Sequence, residues 1–252
     1  MRQIAISEFV PPVVFRAIHY FKRKLTTALG TQYKLAPFSS LPLGFEAKWV
    51  LDIGANVGDV TIAALKSYKE SKVICFEPVQ STYDGLEKRL SPYSNRVFMH
   101  KVALSNSNGT GEINITTSHG ANSIAPQASL HKKYNPHVQE VGKEKIILAR
   151  LDDYHTSLPY QQIDVMKIDV EGHELDVLKG GINFITNCVE IIIIEISLMR
   201  DQSLEDQAIF EIFAILKKAG FRLLNAIDLH QSQDGTAMLV QMDCIFRRTK
   251  NC

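Results

Sequence analysis

Short apolar runs alternate with segments of helical periodicity along most of the chain. The apolar runs are rich in Val and Ile, and in the segments between them apolar residues recur every three or four positions. This alternation predicts a parallel sheet that is covered by helices on both faces. The predicted strands cover residues 49–54, 72–77, 97–104, 164–170 and 190–196. The predicted helices cover residues 57–70, 80–91, 173–187 and 203–219.

The end of the chain carries the signals of a hairpin. Residues 221–229 and 237–247 have the composition of strands, and the turn-like segment Gln231-Ser-Gln-Asp-Gly235 joins them. We therefore expect an antiparallel pair at the edge of the parallel strands, which makes a mostly parallel sheet of seven strands.

The first 45 residues differ from the rest of the chain. Apolar residues recur at helical spacing over residues 13–29, and basic residues occupy another face of the same segment. The pattern predicts a helical extension over residues 1–45, followed by a larger domain over residues 46–252. We expect the helix to pack on that domain, and contact with an anionic membrane surface is the alternative.

A polar excursion separates the third predicted strand from the fourth. Residues 111–117 alternate like a strand, residues 118–145 are polar, and residues 146–151 again have the pattern of a strand. Long polar connections inside a domain are usually either functional or disordered. We interpret residues 118–145 as a lid or acceptor-binding loop, with disorder as the alternative.

Acidic residues and a glycine-rich turn follow the first two strands. Asp52 ends strand one, Gly54 permits a tight turn, and Asn56 and Gly58 lie between that turn and the next helix. Glu77 ends strand two, where a carboxylate can accept both hydroxyls of a ribose. The glycine spacing fits neither a dinucleotide fingerprint nor a P-loop. A ligand with hydroxyls and a positive charge suits such a site, and S-adenosylmethionine is such a ligand.

A second group of charged residues surrounds the end of strand four. Lys167, Asp169 and Glu171 alternate along that strand, His173 follows in the next helix, and Glu195 ends strand five. Because a buried charge requires a partner, we expect Lys167 to pair with one of the acids. The carboxyl ends of parallel strands face the ligand crevice, which places Asp169 beside the methyl donor.

Together these segments resemble the motifs of FkbM-family methyltransferases over roughly residues 49–197. The motifs are Asp52-Ile-Gly-Ala-Asn-Val-Gly58, Phe76-Glu-Pro78, Val102-Ala-Leu104, Lys167-Ile-Asp-Val-Glu-Gly-His-Glu174, Leu178-Lys-Gly-Gly181 and Ile194-Glu195. The resemblance implies a class I methyltransferase fold, which is a Rossmann-like sandwich. It also implies S-adenosylmethionine as the methyl donor, Ala103 in the donor site, and O-methylation of a hydroxyl on a sugar, glycan or natural product.

Methyl transfer to a hydroxyl requires alignment of the reactants and removal of one proton. We expect Asp169 to lie near the amino group or the methyl end of the donor, and Glu171 or His173 to act as the base. A divalent metal is an alternative activator of the hydroxyl, and Asp169, Glu171 and Glu195 would then be its oxygen ligands.

Composition narrows the function classes further. The formal net charge is +1 and no broad basic cluster is present, so we expect no nucleic-acid partner. The four cysteines form no C-x-x-C pair and no apolar stretch reaches about 18 residues, which favours a cytoplasmic protein. The alternatives are an NAD-dependent oxidoreductase, a methyltransferase for another acceptor class (N-methylation or nucleic acid), and a binding module without catalysis.

Overall fold

A seven-stranded sheet runs through the centre of the molecule. The computed structural model describes residues 37–124, 138–159, 162–198, 202–232 and 238–249. The strands of this sheet are β1 (Trp49–Ile53), β2 (Lys72–Phe76), β3 (Val97–His100), β7 (Ile163–Ile168), β8 (Val189–Ser197), β9 (Phe221–Gln231) and β10 (Leu239–Arg248). Their order is β3-β2-β1-β7-β8-β10-β9. The first five are parallel, and the hairpin of β9 and β10 joins β8 in antiparallel pairing, which confirms the predicted sheet.

Helices connect the strands of the large sheet. They are α1 (Asp59–Ser67), α2 (Gln80–Leu90), α3 (Leu151–Tyr154), α4 (Glu174–Gly180), α5 (Ile182–Cys188) and α6 (Gln202–Lys218). The helix predicted over residues 173–187 is therefore two helices, which meet at Gly181. A Cβ atom on Gly180 would lie 1.8 Å from the carbonyl oxygen of Ser105, so this part of the chain packs directly against another backbone.

The core lies on both faces of the central strands. Val50 and Leu51 are successive residues of β1 that point to opposite faces, and both are fully buried. The apolar run of β8, from Ile191 to Ile194, is fully buried as well. This continuous burial confirms that helices cover the parallel strands on both sides, as the pattern of unbroken apolar runs predicts.

A smaller sheet forms the excursion between β3 and β7. Its strands are β4 (Ala103–Leu104), β5 (Gly109–Thr116) and β6 (Glu140–Ala149), in the order β4-β6-β5. The strand predicted over residues 97–104 is thus split between the two sheets. Residues 140–145 were expected in a loop but extend β6, because their backbone pairs with β5 although their side chains are polar.

The predicted N-terminal extension and the predicted lid each include residues outside the described part of the chain. The helix over residues 13–29 lies outside them, as do all but the last nine residues of the extension over 1–45. In the predicted lid, residues 125–137 are also outside the described part. Among the helices that the structure describes, none combines the length and apolar character needed to cross a membrane.

Candidate active site

The glycine turn after β1 lies directly against the chain that follows β7. Gly54 has φ +82°, and a Cβ atom there would lie 1.8 Å from the carbonyl oxygen of Asp169. The amide groups of Gly54 and Ala55 donate to the carbonyl oxygen of Phe76 at the end of β2. The turn is therefore closed on both sides by neighbouring strands, and only glycine fits at its first position.

Asp52 lies beneath this turn and is 1% exposed. Its carboxylate accepts a hydrogen bond of 2.6 Å from the hydroxyl of Thr61 on α1. Burial raises the pKa of Asp52 to about 6, although the bond from Thr61 opposes the shift. That Asp52 contacts the donor stays a prediction, and the geometry shows a carboxylate that joins β1 to α1 below the surface.

Glu77 occupies the end of β2 with both carboxylate oxygens engaged. One oxygen accepts from the backbone N–H of Asn56 and the other from that of Val79, each at 3.0 Å. Burial raises the pKa of Glu77 to about 7, while the two backbone hydrogen bonds act in the opposite direction. The carboxylate is thereby held between the glycine turn and the start of α2, with lone pairs left for further donors.

Asn56 and Gly58 shape the path from the turn into α1. Asn56 adopts φ +47°, and its side-chain Oδ1 is buried without a hydrogen-bond partner among the described residues. Gly58 has φ +86° and precedes the first residue of α1, and a Cβ atom there would lie 2.7 Å from Leu86 Cδ1. A buried acceptor without a partner beside a helix N-terminus is a feature that a bound polar ligand would satisfy.

The second group of acids converges at the ends of β7 and β8. One oxygen from each of Asp169, Glu171 and Glu195 lies within 4.8 Å of the others. Lys167 is 2% exposed, and its Nζ lies 3.3 Å from Asp169 Oδ2. The pairing of Lys167 with one of the acids is therefore confirmed. The same ammonium also lies 3.0 Å from Asp243 Oδ1 on β10, a contact that the sequence did not predict.

Glu171 lies in a turn that is fixed from two directions. It adopts φ +51°, and its backbone carbonyl accepts a hydrogen bond of 2.6 Å from the hydroxyl of Ser123. Glu174 Oε1 accepts from the backbone N–H groups of Val170 and Gly172 at 3.2 and 2.9 Å. Glu174 therefore organises the turn, and Ser123 connects the excursion to it.

His173 has a partner at each ring nitrogen. Nε2 lies 2.9 Å from the hydroxyl of Ser105, and Nδ1 lies 3.2 Å from Asp176 Oδ2. This geometry joins the start of α4 to the segment after β4. It makes His173 a weaker candidate than Glu171 for taking a proton from a bound hydroxyl, because both imidazole nitrogens already face protein groups.

Ala103 lies in the smaller sheet. It is buried, pairs with Leu148 in the register of β4 and β6, and packs in a cluster with Val79 and Ile113. Val79 donates its N–H to Glu77, so Ala103 borders the segment that follows β2. Its predicted contact with the donor stays a prediction.

Several residues at the site escaped the sequence analysis. Thr61, Ser105 and Asp243 each contact a residue of the two predicted charged groups, across between 9 and 76 positions of sequence. Of these residues, Asp243 is the one that the sequence could have indicated. It is an acid within the largely apolar run 238–246, and a buried acid requires a partner. Ser105 lies in a segment where serine is unremarkable, whereas Ser123 belongs to the predicted acceptor-binding loop.

Comparison with known proteins agrees with this geometry. Residues 52–223 match the family model for the methyltransferase FkbM domain, which is more than half of the chain. The chain belongs to the FkbM methyltransferase family. This membership removes the dehydrogenase alternative.

Curated relatives of this chain include proteins from fungi, bacteria and archaea. The chain is 31% identical to the methyltransferase sdnD of Sordaria araneosa, with 52% of this chain and 60% of that protein covered. It is 28% identical to the 2-O-methyltransferase NoeI of Sinorhizobium fredii (52% and 56% covered) and 34% identical to the hexuronic acid methyltransferase AglP of Haloferax volcanii (58% and 54% covered). The matched part of the chain thus spans about three-fifths or less of these relatives.

One solved structure shares the fold. A FkbM methyltransferase from Methylobacillus flagellatus matches with a TM-score of 0.52 and 18% identity, over 86% of this chain and 48% of that one. The mostly parallel seven-stranded sheet with its terminal hairpin is therefore the class I methyltransferase fold that the sequence predicts.

Proposed function

We propose that the protein is an S-adenosylmethionine-dependent O-methyltransferase that acts on a hydroxyl of a sugar, glycan or natural product. The observation that carries this function is the contact of the Gly54 turn with the backbone of Asp169, opposite the held carboxylate of Glu77. This contact brings together, at one edge of the sheet, the acids that a cationic nucleoside donor requires. Two relatives whose names specify a 2-O-methyltransferase and a hexuronic acid methyltransferase support a sugar-like acceptor.

The residues of this edge suit the parts of the donor. Glu77 accepts the ribose hydroxyls, because its oxygens are fixed by backbone N–H groups and still have free lone pairs. The Gly54 turn and the buried Oδ1 of Asn56 face the amino-acid part of the donor, next to the N-terminus of α1. Asp52 accepts a hydrogen bond from Thr61 and holds β1 against α1 below the turn.

The chemical step requires orientation and a base. S-Adenosylmethionine supplies an activated methyl group on a sulfonium, so the protein must align the acceptor hydroxyl and remove its proton. Glu171 is the proposed base, because its carboxylate converges with Asp169 and Glu195 at the strand ends. Asp169, whose charge is balanced by Lys167, faces the cationic end of the donor. His173 is the second candidate base, and its contacts with Ser105 and Asp176 favour a positioning role instead.

The smaller sheet is the proposed acceptor side of the site. Ser123 lies at the end of the described part of the excursion, and its hydroxyl donates to the backbone carbonyl of Glu171. Acceptor binding by residues 118–145 would therefore act next to the base. This linkage supports the interpretation of the excursion as an acceptor-binding element.

The metal alternative has a defined ligand set. Asp169, Glu171 and Glu195 each offer one oxygen within 4.8 Å of the others, and hard oxygen ligands suit magnesium or calcium. Lys167 already supplies a cation to Asp169 at 3.3 Å, which competes with a metal at that carboxylate. Turnover in the presence of a chelator, followed by metal addition, distinguishes the two schemes: full activity with chelator removes the metal.

Calorimetry with S-adenosylmethionine and its demethylated product tests the proposal directly. We expect both to bind, and we expect NAD to produce no heat. Transfer of a labelled methyl group to a panel of sugars and glycans then tests the acceptor class. Binding of the donor without transfer to any hydroxyl would support a binding module, and failure of folded protein to bind either compound would overturn the proposal.

A further inference from the structure

Three acidic side chains form a row across the carboxyl ends of β7 and β8 and the adjoining amino-terminal half of the antiparallel strand β10. Asp243 is the register partner of Glu195, and Asp169 follows directly on β7, whose Ile168 pairs with Ile194. Asp243 and Glu195 are both buried. Three adjacent carboxylates in a poorly hydrated place repel one another, so at least part of their charge must be compensated.

Within the described part of the chain, Lys167 provides this compensation. Lys167 Nζ lies 3.3 Å from Asp169 Oδ2 on the side of the ligand crevice and 3.0 Å from Asp243 Oδ1 behind it. Asp169 has a side chain that is 23% exposed, whereas that of Asp243 is 9% exposed. Burial disfavours the charge of Lys167, but Asp169 and Asp243 outweigh this effect and raise its pKa. The ammonium is therefore shared between an acid that faces the ligand and an acid that does not.

We propose that Asp243 is a positioning residue of the donor site, which acts through Lys167 to set the position of Asp169 and how closely the ammonium pairs with it. This inference rests on the proposed function, because it assigns to Asp169 the cationic end of the donor. When Asp243 takes one side of the ammonium, Lys167 cannot close fully on Asp169, and that carboxylate keeps capacity for a positively charged ligand. Asp243 lies beyond residue 223, where the family match ends.

A second contact from β10 supports a role for the hairpin. Gln241 Nε2 donates to Glu195 Oε1, the middle acid of the row. Burial raises the pKa of Glu195 well above its ordinary value, with Asp169 adding to the shift and Lys167 opposing it. The strand β10 thus touches the row at two positions, and β9 and β10 shift register between Gln241 and Asp243. The hairpin contributes polar groups to the floor of the site as well as closing the sheet.

The Asp243→Asn variant of the full chain tests this role, because it removes the charge and keeps the shape. We expect Lys167 to pair more closely with Asp169, so that the Kd for S-adenosylmethionine rises about tenfold while kcat at saturating donor changes less than about threefold. The matched control is Asp228→Asn on the same hairpin, an exposed acid that pairs with His230 and should leave the Kd unchanged.

A double-mutant cycle separates positioning from a structural role. In an Asp169→Asn background, Asp243→Asn should no longer change the donor Kd, since its effect passes through Asp169. An equal loss of affinity in both backgrounds, or a Kd for Asp243→Asn within twofold of the wild-type value, would overturn the proposal. If Asp243→Asn does not fold, Asp243→Ser, which also removes the charge, replaces it in the same cycle with the same criterion. Absence of donor binding by the folded wild-type chain would instead refute the proposed function itself.

Discussion

The two sides of the site hold their acids by different means. On the β1–β2 side, Asp52 and Glu77 accept hydrogen bonds from neutral groups at most 21 positions away in sequence. On the β7–β10 side, Lys167 pairs with Asp243 across 76 positions. The first side is a local motif closed by its own turn, whereas the second is a balance of charges that exists only when three strands are in register.

This difference has an electrostatic consequence. Burial raises the pKa of Asp52 to about 6 and that of Glu77 to about 7, so protonation can relieve their desolvation. On the β7–β10 side, the buried ammonium of Lys167 compensates the charge of the acids, because it lies 3.3 Å from Asp169 and 3.0 Å from Asp243. The β1–β2 side should therefore respond to pH near neutrality. On the β7–β10 side, Asp169 and Asp243 share the ammonium of Lys167, and burial also raises the pKa of Glu195.

The largest expected effect comes from a substitution at Gly54, whose turn contacts both sides of the site. In Gly54→Ala, the Cβ atom would lie 1.8 Å from the carbonyl oxygen of Asp169, and φ +82° adds strain. We expect donor affinity to fall more than about 100-fold in calorimetry, since the turn must move away from β7. The control is Gly44→Ala, with φ +76° and no atom within 4 Å, which should cost only about 1 kcal/mol of stability. Donor affinity within tenfold of wild type for Gly54→Ala would contradict the close contact.

The second-largest expected effect concerns Glu171, on the β7–β10 side. Glu171→Gln keeps the shape of the proposed base and removes its basicity, so kcat should fall about 100-fold or more while the donor Kd stays unchanged. Steady-state kinetics at saturating donor measures this. Glu87→Gln, an exposed acid on α2, is the control that should retain full activity. A decrease smaller than tenfold would remove Glu171 from the chemical step.

A moderate effect is expected on the β1–β2 side, where the ionisation of Glu77 should make donor affinity depend on pH. In its proposed role Glu77 must be ionised to accept the ribose hydroxyls, and burial raises the pKa of this carboxyl to about 7. Donor affinity should therefore be level above pH 7 and should fall up to about tenfold per pH unit below it, because protonation removes the acceptor. Calorimetry between pH 8 and pH 6 measures the slope. In Glu77→Gln, the affinity should be lower and this slope should disappear; an unchanged slope would assign the titration to another group.

The smallest effect concerns His173. Both of its ring nitrogens face protein partners, so His173→Ala should lower kcat less than about threefold. Loss of the contacts to Ser105 and Asp176 should lower the melting temperature by about 2–4 °C for each kcal/mol lost. A decrease in kcat of about 100-fold at an unchanged melting temperature would instead identify His173 as the base.

The same contrast explains how far the sequence predicted the structure. The alternation of strands and helices, the acids that end β1 and β2, and the pairing of Lys167 with an acid all follow from patterns within short segments. The contacts of Asp243 and Gln241 depend on how the hairpin pairs with β8 and on a register shift within it. No local pattern determines that register.

The break between α4 and α5 also escaped prediction for a tertiary reason. Helical periodicity continues through residues 173–187, but the chain at Gly180 packs against the backbone of Ser105. Ser105 in turn reaches His173 across 68 positions. These contacts join the large sheet to the smaller one, whose position the sequence alone did not reveal.

The smaller sheet lies within one uninterrupted span of chain, from β4 to β6, and the ends of that span pair with each other at Ala103 and Leu148. A continuous span whose ends lie side by side is suited to exchange as one unit between related proteins. With the smaller sheet as the proposed acceptor side, recombination between related enzymes at these two points should transfer acceptor preference, provided that the incoming segment keeps a hydroxyl where Ser123 reaches Glu171.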